Sequence, residues 1–182
     1  MKKAIVFIAE GFEEIEALSV VDILRRGGVD VNMMSVTDNP FVEGAHGIEI
    51  TTNTVNEFEI TDEDMIVLPG GLPGADNLRK STVVCNTIKD FASSGKFVAA
   101  ICAAPYVLGE LGVLNGKKAT CYPGFQSHLK GADYTANAVE VDDNFITGNG
   151  PTSATIFALT LLEVLEGKAK RNEVAKGMLL ED

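Results

Sequence analysis

Apolar residues along the chain fall into two patterns, short mostly apolar runs and longer stretches with helical spacing. Short runs bounded by polar or glycine positions are typical of buried strands. The predicted core strands are residues 4–8, 29–36, 65–68 and 97–101. Residues 13–26 and 81–94 instead predict helices; in the first, Ala17, Val20 and Leu24 stand at i, i+3 and i+7. Strands alternating with helices predict an α/β protein whose mainly parallel sheet is covered on both faces, in a flavodoxin-like arrangement.

The remaining pattern completes this arrangement. Residues 119–121 predict a short strand, and residues 139–141 and 145–147 predict a hairpin. Residues 48–52 and those before Phe58 are expected to be extended pieces that form another hairpin. Further helical segments are expected at residues 105–111, at 125–129, and from Gly150-Pro151 to Gly167. No linker, repeat or low-complexity stretch interrupts the pattern, so we expect one domain over residues 1–182.

Composition narrows the classes of function. The formal net charge of -11 disfavours nucleic acid as the main partner, because an acidic surface repels phosphate. The N-terminal apolar run ends at Glu10, which is too early for a signal peptide or a membrane span, so we expect a cytoplasmic protein without a membrane partner. The 3 cysteines lack CxxC spacing, so neither a disulfide framework nor a metal site is expected.

Cys102 is the leading candidate for chemistry. It ends an apolar run and precedes a helix-like stretch, which predicts a strand-to-helix turn at the edge of the sheet where α/β proteins place their sites. A nearby helix N-terminus favours the thiolate. The alternative is a buried, inert cysteine, which is common; the turn position favours the reactive interpretation. Cys85 and Cys121 are interpreted as structural.

Three other features bear on this site. The glycine-rich segment 69–74 follows a predicted strand and is either a tight turn or a place where backbone N–H groups approach a ligand. Glu16 shares a helical face with buried positions, so its carboxyl can point inward, whereas Glu13 and Glu14 are explained by the helix dipole. His46 and His128 are expected at the surface, although the fold can bring either one to the thiol.

Four segments, in consistent order and spacing, together resemble the DJ-1/PfpI (ThiJ) superfamily, and its DJ-1 branch most closely. The resemblance runs nearly end to end. The matching segments are GFEEIE at 11–16, VLPGG at 67–71, AAICAAP at 99–105 and GNGP at 148–151.

The resemblance implies a flavodoxin-like three-layer sandwich, usually a homodimer, with Cys102 as a nucleophile-elbow cysteine. It implies that Glu16 is a protonated carboxyl bonded to that sulfur. The N–H groups of Gly71 and Ala103 would then form an oxyanion-type pocket. Arg26 would lie near the dimer interface. Other residues of the expected pocket are Gly70, Tyr122, Gly150 and Pro151.

Two positions depart from related patterns. DJ-1-like proteins often carry a histidine near the cysteine, where this chain has Tyr122. A phenol is a poor base at neutral pH, so a Cys–His dyad is not expected. The PfpI branch has a histidine directly after the nucleophile, where this chain has Ala103, which argues against a protease or a class I glutamine amidotransferase.

The resemblance leaves two functions open. One is cofactor-independent glyoxalase or deglycase chemistry, in which the Cys102 thiolate attacks methylglyoxal, a related 2-oxoaldehyde or a glycated adduct. The other is a non-enzymatic oxidative-stress sensor or chaperone that works through oxidation of Cys102. A cysteine hydrolase or peptidase is the weakest alternative, because no base is visible beside the thiol.

Overall fold

A computed structural model describes residues 1–56, 60 and 62–180 of the chain. Eleven strands and six α-helices form within these residues. The strands are β1 Lys3–Ile8, β2 Asp30–Ser35, β3 Phe41–Glu43, β4 Glu49–Thr51, β5 Asn53–Thr54, β6 Met65–Leu68, β7 Phe97–Ile101, β8 Lys118–Ala119, β9 Asp133–Tyr134, β10 Val139–Asp142 and β11 Phe145–Gly148. The helices are α1 Glu14–Arg26, α2 Gly74–Lys80, α3 Thr82–Ser94, α4 Pro105–Glu110, α5 Ala154–Glu166 and α6 Lys168–Gly177.

Seven strands build the central sheet in the order β10-β11-β7-β6-β1-β2-β5. All neighbouring strands are parallel except β10, which runs antiparallel to β11. The register places Leu68 of β6 beside Ala100 of β7, and Ile101 beside Gly148 of β11. The segments that follow β6, β7 and β11 therefore leave the sheet at the same edge, where Cys102 is located.

Helices cover both faces of the sheet, which makes the molecule a three-layer α/β sandwich of the flavodoxin-like type. On one face, Ala4, Val6 and Ile8 of β1 pack in a core that includes residues of α1, α5 and α6. On the other face, Ile5 and Phe7 pack in a core that includes residues of α2, α3 and α4. Successive side chains of β1 point to opposite faces of the sheet, as in any strand, so they contribute alternately to the two cores.

Most predicted elements are confirmed, including the core strands, α1, α3, the β10–β11 hairpin and the helix that ends at Gly167. The hairpin predicted between residues 48–52 and the segment before Phe58 is wrong. Strand β4 pairs antiparallel with the upstream β3, and β5 joins the central sheet parallel to β2. Phe58 itself lies outside the described residues. The choice of strand partner depends on contacts distant in sequence, which local periodicity does not report.

Smaller differences occur at helix and strand ends. The expected strand at residues 119–121 is shorter and shifted, at Lys118–Ala119, and the last long helix begins at Ala154 after a 3-10 turn at Pro151–Ser153. Helices α2 and α6 were not expected, because glycine and charged residues weaken their apolar pattern. Within the described part of the chain, no helix combines the length and the apolar character needed to cross a bilayer.

Candidate active site

Cys102 lies in the turn between β7 and α4, in a backbone conformation that is uncommon for a residue with a side chain. Its φ angle is +65°, a value that costs energy outside glycine and persists only where neighbours enforce it. The Cys102 N–H donates to the Gly148 carbonyl at 2.9 Å, and the Cys102 carbonyl accepts from the Tyr122 N–H at 2.8 Å. These two bonds hold the turn, so the predicted strand-to-helix position of Cys102 is confirmed.

Glu16 reaches the same point from α1. Its residue surface is 0% exposed, as is that of Val20, so the predicted inward direction of this helix face is confirmed. Glu16 Oε2 accepts a hydrogen bond from the Gly70 N–H at 2.8 Å, and the carboxyl also accepts from the Cys102 thiol. The other oxygen, Oε1, is buried and accepts no hydrogen bond from any described residue. An unsatisfied buried oxygen penalises the charged carboxylate and favours the neutral acid.

The glycine-rich turn after β6 allows this close approach. A Cβ atom on Gly70 would lie 2.7 Å from Cys102 Cβ and 2.7 Å from Glu16 Oε2. Gly71 has a φ angle of +85°, and a Cβ there would lie 2.5 Å from the backbone nitrogen of Glu13. Any side chain at either position would therefore displace the thiol, the carboxyl or the start of α1. Both alternatives considered from sequence hold, since the segment is a tight turn and also part of the thiol environment.

The thiol and the carboxyl each oppose the ionisation of the other. Burial raises the pKa of Glu16 to about 7, while hydrogen bonds from Cys102 and Gly70 act in the opposite direction. Burial also raises the pKa of Cys102 to about 12, and the negative charge of Glu16 adds to that increase. Two like charges in such contact cannot both form easily, so the pair carries at most one negative charge near neutral pH.

Two backbone N–H groups favour the thiolate. Those of Ala103 and Gly71 hydrogen-bond to the Cys102 sulfur and lower the pKa of the thiol. These two hydrogen bonds lower the thiol pKa by less than burial raises it. The sequence led us to expect a lowered pKa for Cys102, and this is not found when Glu16 is charged. When Glu16 is protonated, its negative charge no longer raises the pKa of the Cys102 thiol. The arrangement therefore offers a nucleophile, an adjacent acid–base group and two N–H donors around one sulfur atom.

Tyr122 and Gly150, two other residues of the expected pocket, lie beside each other next to the turn that carries Cys102. Tyr122 is bonded to the Cys102 carbonyl through its own N–H, and 46% of its surface is exposed. Its ring lies beside Gly150, where an added Cβ would come within 3.3 Å of Tyr122 Cδ2. Pro151 follows at the start of the 3-10 turn. Tyr122 is thus an exposed residue next to the turn that carries Cys102, whereas the buried Glu16 carboxyl comes from α1.

Neither histidine forms a described contact with the thiol. His46 Nδ1 lies 2.8 Å from Glu14 Oε2 and 3.5 Å from Glu13 Oε2, and His128 Nδ1 lies 3.2 Å from Glu110 Oε1. The interpretation of Glu14 as a simple helix-dipole residue is incomplete. Its side chain is largely buried and also accepts from the His46 N–H at 2.7 Å, which ties the β3–β4 turn to α1. A sequence pattern cannot show such a pairing, because its partners are separated by many residues.

The other two cysteines lie away from these donors. Cys85 is on α3, where its thiol donates to the Arg79 carbonyl at 3.2 Å. Cys121 is fully buried, and burial raises the pKa of its thiol to about 11. Both cysteines are buried, as the structural interpretation requires.

The chain was compared with known proteins. A family model described as the DJ-1/PfpI family matches residues 2–164. The Arabidopsis thaliana protein DJ-1 homolog A is 42% identical over 184 residues, which cover 98% of this chain and 47% of the plant protein. The chain therefore spans about half the length of that relative.

Solved structures of DJ-1 proteins are similar along the whole chain. Drosophila melanogaster DJ-1beta superposes with a TM-score of 0.95 at 37% identity, covering 100% of this chain and 99% of that one. A Toxoplasma gondii structure described as oxidized DJ-1 gives a TM-score of 0.91 at 35% identity, with full coverage of both chains. Because the family model matches most of the sequence and these folds agree from end to end, this protein belongs to the DJ-1/PfpI family.

Proposed function

We propose that this protein converts 2-oxoaldehydes such as methylglyoxal, or the adducts they form by glycation, with Cys102 as the nucleophile and without a metal or organic cofactor. The observation that supports this most strongly is the contact between the buried Glu16 carboxyl and the Cys102 thiol. A carboxyl whose pKa is raised to about 7 can both give and take a proton near neutral pH.

The first step is addition of the thiol to the aldehyde. A proton passes from Cys102 to Glu16, and the sulfur attacks the aldehyde carbon to form a hemithioacetal oxyanion. The N–H groups of Gly71 and Ala103 are the proposed donors to that oxygen. Glu16 then returns its proton to the oxyanion and becomes a carboxylate. Glu16 can accept this proton because the pair carries one negative charge, which lies on the carboxylate before the transfer and on the sulfur after it.

The second step moves hydrogen between neighbouring carbons. The Glu16 carboxylate removes the proton from the former aldehyde carbon, which gives an enediolate, and then delivers that proton to the former ketone carbon. The hydroxyl proton on the former aldehyde carbon passes to the neighbouring oxygen, which leaves a 2-hydroxy thioester on Cys102. Water hydrolyses the thioester to a 2-hydroxy acid, lactate in the case of methylglyoxal. One carbon is oxidised and its neighbour is reduced, so the reaction requires no external oxidant. Tyr122 contributes a wall and a hydroxyl at the exposed side rather than a base.

Production of lactate from methylglyoxal tests this proposal. We expect turnover by the unmodified protein and a loss of at least about 10³-fold in the Cys102→Ala variant, because the nucleophile is removed. Cys85→Ala is the matched control, since Cys85 lies on α3 and outside the site. Lactate production that does not depend on Cys102 would show that the proposed chemistry is wrong.

A second candidate function is the sensing of oxidants through the same thiol. The two N–H groups already bonded to the Cys102 sulfur are positioned to donate hydrogen bonds to the oxygens of a sulfinic acid. One similar structure is described as oxidized DJ-1 from Toxoplasma gondii. Cys102 and Cys85 are each 9% exposed, so the proposed selectivity rests on the N–H donors at the Cys102 sulfur rather than on exposure.

Mass spectrometry after mild peroxide treatment distinguishes this function. We expect two oxygen atoms to be added to Cys102 before either Cys85 or Cys121 changes, because two backbone N–H groups at the Cys102 sulfur stabilise its oxidised forms, whereas the Arg79 Nη1 donor lies 3.8 Å from the Cys85 sulfur. Equal rates at the three cysteines would rule out the sensor function. Selective oxidation without methylglyoxal turnover would favour it over catalysis.

We also propose that the protein is a homodimer. Apolar side chains are exposed on α1 and on the β3–β4 hairpin, and the bond between Glu14 and His46 ties these two elements together. Arg26, which pairs with Asp22 at 2.7 Å, continues the exposed side of α1. The exposed apolar residues, here called the α1 face, are Ile15, Leu18, Phe41 and Ile48.

A further inference from the structure

Three side chains with metal-binding atoms meet where the start of α1 contacts the turn between β3 and β4. The ligand atoms of Glu13, Glu14 and His46 all lie within 4.8 Å of one another. No hydrogen bond described at the Cys102 thiol involves these side chains. We propose that these three residues, the Glu–His cluster, bind one zinc ion, with water completing the coordination.

The distances in the cluster are close to those of a zinc site. His46 Nδ1 lies 2.8 Å from Glu14 Oε2 and 3.5 Å from Glu13 Oε2. Zinc bonds of about 2.0–2.1 Å at tetrahedral angles place neighbouring ligand atoms about 3.3 Å apart. The two distances from His46 are thus within about 0.5 Å of the required separation. The ligand oxygens of Glu13 and Glu14, which lie within 4.8 Å of each other, move closer together when the ion binds. The hydrogen bond between Glu14 and the imidazole is exchanged for two bonds to the metal.

The backbone holds the cluster in place before any ion binds. The Glu13 N–H donates to the Gly70 carbonyl at 3.0 Å, the Ala45 N–H donates to the Phe12 carbonyl at 2.8 Å, and the His46 N–H donates to Glu14 Oε1 at 2.7 Å. The turn that carries the imidazole is thus tied to the start of the helix that carries both carboxyls. A site arranged in this way loses little conformational freedom when it binds an ion.

The charges around the cluster favour a cation. Among the ion pairs of the described residues, neither Glu13 nor Glu14 contacts a lysine or an arginine. Their side chains are only 12% and 6% exposed, so solvent screens their charge poorly. In the single chain the imidazole is 67% exposed, which leaves an open side for entry of the ion and for a bound water.

The ligand types select among divalent ions. An imidazole nitrogen with two carboxylate oxygens suits zinc, whereas magnesium and calcium prefer oxygen ligands throughout. His128 offers a useful contrast, because it also contacts a glutamate. That carboxylate, on Glu110, additionally has Arg79 Nε at 3.6 Å and Lys130 Nζ at 3.9 Å. The second histidine site has only one carboxylate and two cations, so we expect no zinc there.

Calorimetric titration of the metal-free full chain with zinc chloride tests the proposal. All proteins carry Cys102→Ser, which removes the Cys102 thiol as a competing zinc ligand. We expect one zinc ion per chain and an affinity at least about tenfold weaker in His46→Asn and in Glu13→Gln. The matched control, His128→Asn, should keep the original affinity. Magnesium chloride should bind at least about 100-fold more weakly than zinc chloride.

A second measurement requires no change at the cluster. Imidazole nitrogen signals of His46 should move when zinc is added to the Cys102→Ser chain, and those of His128 should not. The proposal is overturned by the absence of saturable binding below about 1 mM, by equal affinity in the His46 and His128 variants, or by binding that requires Cys102. Circular dichroism of each variant shows whether the variant is folded, so that a weaker zinc affinity is not mistaken for unfolding.

Discussion

At the scale of single residues, the site depends on the balance between burial and hydrogen bonding at Cys102. Burial and the charge of Glu16 raise the thiol pKa, while the N–H groups of Ala103 and Gly71 lower it. The protonation state of Glu16 therefore controls how easily the thiolate forms. This coupling lets one proton serve both groups, which is what the proposed proton transfers require.

Glu16→Gln separates the effect of the Glu16 charge from that of burial. Glutamine has nearly the same shape as glutamate and can donate a hydrogen bond, but it carries no charge. One cause of the raised Cys102 pKa disappears, so the thiolate should form at lower pH. We expect the pH midpoint for alkylation of Cys102 by iodoacetamide to fall by about one unit or more. Methylglyoxal turnover should fall at the same time, because an amide cannot transfer the proton.

Alkylation of each cysteine is followed by mass spectrometry across the pH range. Cys85 and Cys121 serve as internal references, since neither contacts Glu16 in the described structure. A midpoint for Cys102 that stays constant or rises would contradict the coupling between the two groups.

At the scale of elements, α1 determines where the carboxyl lies. One face of this helix is buried against α5, so Glu16 is carried into the interior together with Val20 and Leu24. Gly27, at the end of α1, lets the two helices approach each other. A Cβ there would lie 2.2 Å from Leu162 Cδ1, and the φ angle of Gly27 is -76°, which alanine also adopts.

The Gly27–Leu162 contact predicts coupled effects on stability. Leu162→Ala alone should lower the free energy of unfolding by about 2–5 kcal/mol because it leaves a cavity. Gly27→Ala alone should lower it by about 1–3 kcal/mol because its methyl group displaces Leu162. In the double variant the new methyl group occupies part of the vacated space, so the combined loss should be smaller than the sum by about 0.5–3 kcal/mol.

Urea denaturation of the four proteins at one pH measures this cycle. Each single variant is the reference for the other, since Gly27→Ala adds a methyl group at this contact and Leu162→Ala removes the side chain that the methyl group meets. Losses that add within about 0.5 kcal/mol would show that Gly27 does not limit the packing of α1 on α5.

At the scale of the whole molecule, the α1 face is an exposed apolar surface that a second molecule can cover. Ile15 is 57% exposed, Phe41 52% and Ile48 52%, on two elements that contact each other. Apolar surface shared by neighbouring elements favours association. A second copy of the chain presents the same surface, so a two-fold pairing covers both at once.

Light scattering after size-exclusion chromatography tests this assembly. We expect a dimer at micromolar concentration for the unmodified chain and a monomer for Ile15→Glu, because two buried charges would then face each other across the axis. Val83→Glu is the control. Val83 is 42% exposed on α3, which covers the opposite face of the sheet, and its substitution should leave the dimer intact. A dimer that persists in Ile15→Glu would place the interface elsewhere.

The sequence by itself determined the elements and the position of the thiol. Core strands, α1 and α3 follow from the periods of their apolar residues, which are local properties of the chain. The same periodicity places Glu16 on the helix face that carries Val20, so that its carboxyl can point inward, and the structure shows that both residues are buried. The turn after β7 follows from the abrupt end of an apolar run at Cys102. These features depend on residues that are close together in the sequence, so the pattern of apolar and polar positions predicts them.

Only the tertiary structure decided which distant residues meet and how burial changes their chemistry. The pairing of β4 with β3 and the bond between Glu14 and His46 join segments that no local pattern links. The net rise in the Cys102 pKa comes from burial and from Glu16, which lies far away in sequence. Desolvation and charge interactions depend on three-dimensional packing, and for this reason the chemistry of the thiol could not be predicted from its turn alone.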